Sequence, residues 1–407
     1  MTFSLAIYLA VFGVLLIAAT FLDQYAWRLR TSGVLLVLLL GLFIPNNINP
    51  NAGVEPLLSL HRADLLAQVA VGIVLFQGGL TTNWRELREV VRPGLRLALV
   101  GSLLTALLLM ALLISLHQLL PAWIPGPAAA LFIGAMVCGT DASAVLAMLR
   151  PLTKQLPPRL INLIECESAF NDPMAVVLAG VALAVAAGAN ADGATVISDL
   201  LRQFLVGALV GFMGGSLATQ ILRSADNQSL HSSQSVLCLA ALFTLVGAST
   251  LLAGSPLLAA YIAGLVISNG VDIDSDYYEL AMAPYAKLAE LLLFLCMGLV
   301  VDPVMVVRIF PWVVLLFLMM QLVRLITVCP LLAVRFNRAE QLFVTLSGLR
   351  GAVPIALAIQ AAAGPVVGKS WGALMPPLAL GVVLLGLLLQ GWTLVPLARR
   401  LGLVQPG

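Results

Sequence analysis

Ten residues near the middle of the chain carry its densest chemistry: Ile164-Glu165-Cys166-Glu167-Ser168-Ala169-Phe170-Asn171-Asp172-Pro173. On a helix, Ser168 and Asp172 are i, i+4 neighbours, as are Glu167 and Asn171, and Glu165 shares a face with Asp172. Hydroxyl, amide and carboxylate oxygens on adjacent stripes are hard ligands for an alkali cation, and the carboxylates can also carry a proton. Pro173 removes one backbone donor and frees a carbonyl one turn earlier, near Ala169. Two further segments place polar groups among apolar ones. Cys138-Gly139-Thr140-Asp141-Ala142-Ser143-Ala144 follows a glycine with three polar side chains, and Gly348-Leu349-Arg350-Gly351-Ala352-Val353-Pro354 sets a charge between glycines ahead of a proline. Both are natural helix breaks, whose half-helix ends present carbonyls and amides at membrane depth.

The elements that hold these residues follow from composition. Of 407 residues, 61% are hydrophobic and 10% charged, against about 25% charged in ordinary soluble domains. The apolar residues come in blocks near the length that spans a bilayer core of roughly 30 Å. A soluble enzyme, a secreted disulfide scaffold and a disordered chain are excluded, and an all-α polytopic membrane protein remains. About thirteen spans are expected, near 3–22, 32–44, 64–82, 95–117, 127–149, 160–187, 199–222, 234–252, 256–270, 284–301, 309–334, 340–363 and 371–398. The N-terminus reads as a retained first span, with no basic n-region or cleavage site ahead of it. The chain stops soon after Arg400, so one transporter domain over 1–407 with no soluble domain behind it is expected.

All six tryptophans fall near expected span ends, as an aromatic belt should. Loop arginines and lysines gather on one side, including Arg28, Arg30, Arg85, Arg88, Arg92, Arg96, Arg150 and Lys154. That bias puts the N-terminus outside and the C-terminus inside, although the inner loop Asp272 to Glu279 is acidic and runs against it. Eight charges stay within spans: Asp141, Glu165, Glu167, Asp172, Glu290, Lys287, Arg324 and Arg350. Such residues cost several kcal/mol at mid-bilayer unless they pair or line a polar path. The net charge of +2 gives no footing for nucleic acid. The five cysteines and three histidines show no ligand spacing, so no metal cluster or cofactor is expected.

The order of the breaks suggests an inverted repeat, about 1–187 against 234–398, which sets the fifth span opposite the twelfth. Two broken segments at matching positions are the best sequence pointer to a midplane transport site. Gly-mediated close packing between helices is the plainer reading of the same residues.

GTDASAV at 139–145, ESAFNDPMAVV at 167–177 and GLRGAVPIALA at 348–358 together resemble the NhaP-type monovalent cation/proton antiporters, and within them the potassium/proton branch. FQGGL at 76–80, AAYIAGLVISN at 259–269 and LLLQGWTL at 387–394 fit the same family, so the resemblance covers almost the whole chain. It implies an inverted-repeat sodium/proton-antiporter-like fold with two crossed, partly unwound helices. It also implies a homodimer in a bacterial inner membrane that exchanges K+ or Na+ for H+. It assigns Asp172 as the carboxylate that takes cation or proton, Ser168 and Thr140 as further cation ligands, and Asp141 as a nearby polar partner. Asn171 matches the amide of electroneutral members, and Glu167 with Arg350 matches an ion pair that braces the site. Gln77 stands where relatives often have an acid, and with Arg324 and Glu165 it is an accessory candidate. The potassium/proton branch usually adds a cytoplasmic domain after the last span, and none is expected within these 407 residues.

Two other classes are compatible with a polytopic chain of this kind. A sodium-coupled organic-solute symporter should show a roomier polar cavity than spans of Leu, Val, Ala and Gly supply. An intramembrane aspartyl protease could pair Asp141 with Asp172, but GTDA and FNDP lack the GxGD pattern of such enzymes.

Overall fold

The computed structural model describes residues 2–26, 32–44, 46, 56–119, 126–152, 155–188, 193–224, 231–270, 275–364 and 371–404. Within these the regular elements are all helical, as they must be where no water satisfies backbone groups. They are α1 Thr2–Tyr25, α2 Gly33–Phe43, α3 Leu60–Leu80, α4 Trp84–Leu87, α5 Val91–Leu95, α6 Ser102–Leu119, α7 Pro127–Cys138, α8 Ala142–Leu149 and α9 Pro158–Ala186. There follow α10 Gly193–Ser224, α11 His231–Leu251, α12 Pro256–Ser268, α13 Ser275–Val300, α14 Pro303–Leu332, α15 Arg338–Leu346, α16 Ala352–Ala363, α17 Met375–Leu385 and α18 Gly391–Arg400. π turns at Arg96–Gly101 and Gly386–Gln390 join α5 to α6 and α17 to α18. Nine helices among the described residues are long and apolar enough to cross a membrane. Leu9–Tyr25, Gly33–Phe43, Pro256–Ser268 and Ala352–Ala363 are shorter apolar ones.

Helix ends obey local chemistry. Asp302 accepts from the Val304 N–H at 2.9 Å and Pro303 opens α14. This start precedes the expected one, so Trp312 lies in the third turn rather than at an end. Likewise α13 begins at Ser275, which makes Tyr277–Glu279 helix instead of loop. Asn337 and Glu340 form a reciprocal capping box at the head of α15. Trp27, Trp123, Arg28, Arg30, Lys154, Asp272 and Lys369 lie outside the described residues.

The chain divides into two compact units. The first comprises Met1–Gln68, Thr140–Pro157 and Glu290–Gly407, and the second Val69–Gly139 and Pro158–Ala289. In the first, α14 packs on α15 and α17, α16 on α17, and α8 on α18. In the second, α9 lies against α5, α7 and α12, and α10 against α11 and α12. Close approach there rests on small residues, as lipid-phase packing requires. A Cβ on Gly264 of α12 would run into the Phe76 carbonyl of α3, and one on Gly79 of α3 into the Tyr261 carbonyl. Ser268 and Asn269 donate to carbonyls at the end of α3 and fasten that crossing.

Candidate functional site

In the second unit, α9 runs unbroken through Pro173 and carries the polar cluster. Glu167 and Ser168 are buried and Asn171 is 0% exposed, Asp172 is half-buried, and Glu165 is exposed. The carboxylate of Asp172 faces the residue where α7 ends: a Cβ on Gly139 would stand 2.8 Å from Asp172 Oδ1. Gly139 has extended backbone (φ −62°, ψ 150°), and Thr140 follows it in the chain. An acid, a hydroxyl one turn before it and a non-helical backbone segment form a set able to hold either a proton or a small cation. Phe170 makes an edge-on contact with Tyr261 of α12, with ring centroids 5.3 Å apart. The Tyr261 hydroxyl lies 3.2 Å from that of Thr82.

Gln77 lies where α3 meets α13. Its amide donates to the Glu279 carbonyl of α13 at 3.1 Å, while its own carbonyl oxygen is buried with no hydrogen-bond partner among the described residues. It ties two helices together.

In the first unit the two breaks meet through the backbone. The Asp141 N–H donates to the Leu349 carbonyl at 2.9 Å. The Asp141 carboxylate caps α8, accepting from the Ala144 N–H at 3.1 Å and from the Ser143 hydroxyl at 2.5 Å. An acid at a helix N-terminus satisfies an orphan donor and sits at the favourable end of the dipole. Gly351 makes room for it, since a Cβ there would collide with the carboxylate. Thr140 is buried.

Arg350 is 1% exposed. Its Nη1 donates to the Gly348 carbonyl at 2.9 Å and its Nε to Met320 Sδ at 3.2 Å. Arg324, 5% exposed, reaches from α14 to the C-terminal end of α15, donating to the carbonyls of Thr345 at 3.0 Å and Val344 at 3.1 Å. Gln390, at the end of the second π turn, donates to the Leu346 carbonyl at 2.8 Å. A Cβ on Gly348 would collide with the Arg324 guanidinium.

Sequence reasoning named the acids and arginines but not the groups packed against them. Gly139, Gly348 and Gly351 each leave space for one charged side chain, and Gln390 serves a helix end. The signal for Gln390 was a lone amide in the run LLLQGWTL; the glycines were visible only as generic breakers.

Comparison with known proteins fits this architecture. Residues 10–400 match the family model described as sodium/hydrogen exchanger, transmembrane. The chain is similar to the K(+)/H(+) antiporter NhaP of Alkalimonas amylolytica, at 30% identity over 84% of this chain and 58% of that protein. It is similar to the K(+)/H(+) antiporter NhaP2 of Shewanella sp. (strain ANA-3), at 32% identity over 83% of this chain and 57% of the relative. The chain thus spans little more than half the length of these curated relatives. Its fold matches that of the sodium proton antiporter MjNhaP1 from Methanocaldococcus jannaschii at pH 8, with a TM-score of 0.81, 20% identity, and coverage of 98% of this chain and 99% of that one.

Proposed function

The chain belongs to the transmembrane sodium/hydrogen exchanger family, and on that premise we propose that it exchanges a monovalent cation for a proton by competition at Asp172. The observation that carries the reading is the Asp172 carboxylate held against the helix break at Gly139. Ser168 and Thr140 complete the cation ligands, with the Thr140 backbone carbonyl as donor. Asn171 adds an amide rather than a second acid. Glu167 and Arg350 brace the surroundings as an ion pair, and Asp141 supports the break.

One carboxylate binds a proton or a cation, not both. The empty, charged form crosses the alternating-access barrier poorly, because bare charge in hydrocarbon is costly. Each half-cycle then carries one ligand, and exchange is one-for-one without net charge movement. The names of the relatives favour potassium as the cation. Thirteen crossings in an inverted repeat, a homodimer, a bacterial inner membrane and an N-terminus outside complete the proposal.

The test is proton flux in proteoliposomes with each alkali cation at several pH values. Wild type should show cation-driven flux whose apparent cation KM rises as pH falls, since protons compete for the same oxygens. Asp172→Asn should fold and show no exchange. Substantial flux through that variant, or strong dependence of wild-type flux on imposed voltage, overturns the mechanism.

A further inference from the structure

We propose that the segment joining α3 to α6 is a binding surface for an anionic phospholipid, its phosphodiester held by Arg88, Arg92 and Arg96. From Trp84 to Leu119 the chain is nearly continuous helix through α4, α5, the first π turn and α6. One side is buried: Leu87, Val90, Leu97 and Ala98 face inward, and Gly94 lies against Cys166 of α9, where a Cβ would meet Sγ at 2.5 Å. The other side carries Arg85, Arg88, Arg92 and Arg96, all exposed and spaced three or four residues apart, so they neighbour one another along the helix. They form no ion pair among the described residues. Glu89, also exposed, lies four residues after Arg85 and three before Arg92; with Glu86 it offsets two of the four positive charges, so the segment 84–96 stays net positive.

The same exposed face runs on without interruption into apolar residues. Val100 is the i+4 neighbour of Arg96, Leu104 follows Val100 and Leu108 follows Leu104, and all three are exposed. They lie within the membrane-spanning stretch Val91–Leu116, at whose start Arg92 and Arg96 stand. Arginines at the end of a lipid-facing stripe sit at headgroup depth. Below them the stripe offers a bed for acyl chains, and exposed Trp84 supplies an interfacial ring. The planar guanidinium matches phosphate oxygens in paired geometry, and an anionic leaflet attracts such clusters. A soluble anion would have no use for the apolar continuation. A zwitterionic lipid would leave the positive charge unmatched.

The surface stands independently of the transport reading and is tested without transport. The purified protein in detergent is offered equimolar phosphatidylglycerol and phosphatidylcholine with identical acyl chains, and retained lipid is counted by native mass spectrometry. Wild type should prefer phosphatidylglycerol by about threefold or more. R92Q/R96Q should bring the ratio close to parity, and R92K/R96K should keep most of the preference. Should R92Q/R96Q fail to fold, R88Q, on an exposed side chain, should lower the ratio by itself. Equal retention of both lipids by wild type overturns the proposal, as does unchanged preference in the glutamine variants. So does competition by inorganic phosphate alone, or a change of oligomeric mass in place of lipid loss, which would make the face a contact between copies.

Discussion

The two helix breaks are held open by opposite charges. At 139–141 an acid does the work: the Asp141 carboxylate covers the N-terminus of α8. At 347–351 cationic and amide donors do it, with Arg324 and Gln390 covering the last carbonyls of α15. Breaking a helix creates orphan N–H groups on one side and orphan carbonyls on the other, and each end dipole favours the sign found there. The difference separates roles. The first break has its own acid committed to a helix end, whereas the Asp172 carboxylate beside Gly139 belongs to a different helix. At the second break two buried arginines, Arg350 of the break and Arg324 of α14, both donate to backbone carbonyls.

Removing Arg350 should break the comparison hardest. Leaving a buried charge without its partner typically costs roughly 3–5 kcal/mol, so Arg350→Ala should lower folded yield, melting temperature and flux together. A variant that melts like wild type would remove the bracing role. Arg324→Gln tests the other positioning arginine. It gives up charge-assisted hydrogen bonds worth about 1.5–3 kcal/mol. Arg324→Lys should recover part of the loss, because lysine keeps the charge without the fork. Equal melting of all three proteins would show that α15 needs no cationic cap.

Gly139→Ala probes the acidic side. The added methyl would stand 2.8 Å from Asp172 Oδ1, so the carboxylate or the break must shift. Flux should fall by about tenfold or more, as sub-ångström misplacement of reacting groups does, while the melting temperature changes little. Wild-type flux in this variant would place the Asp172–Gly139 approach outside the cycle. Gln77→Glu should have the smallest effect. It trades the amide donor to the Glu279 carbonyl for an acceptor, so a modest loss of stability, about 1–3 kcal/mol, should accompany any shift in the potassium-to-sodium flux ratio. An unchanged flux ratio in a folded variant would confine Gln77 to tying α3 to α13.

Much of this architecture was legible in residue order alone. Apolar blocks of bilayer length dictate transmembrane helices because no other element satisfies its backbone in lipid. Charges inside such blocks mark the functional region because they are costly anywhere else in it. The i, i+4 spacing of Ser168 and Asp172 puts both on one face of a helix, and the glycines beside Thr140 and Arg350 mark where the helices break. Helix starts at Pro303 and Ser275 were harder to place, because caps and a proline at the first turn extend a helix beyond its apolar stretch.

Tertiary structure decided which charge serves which purpose. Asp141 and Asp172 are alike in type and surroundings along the sequence. Only the fold turns the first onto the α8 amides and the second toward Gly139. Arg324 and Gln390 lie far from α15 in the chain, yet both complete its carbonyl end, a pairing that local periodicity cannot encode. Glu165 shares the helical stripe of Asp172 but is exposed, while Glu167 is buried, because burial depends on which neighbouring helix covers each face. The physical reason is common to all of these. Sequence fixes the energetic demand of each buried charge and broken helix end, and long-range packing chooses the group that meets it.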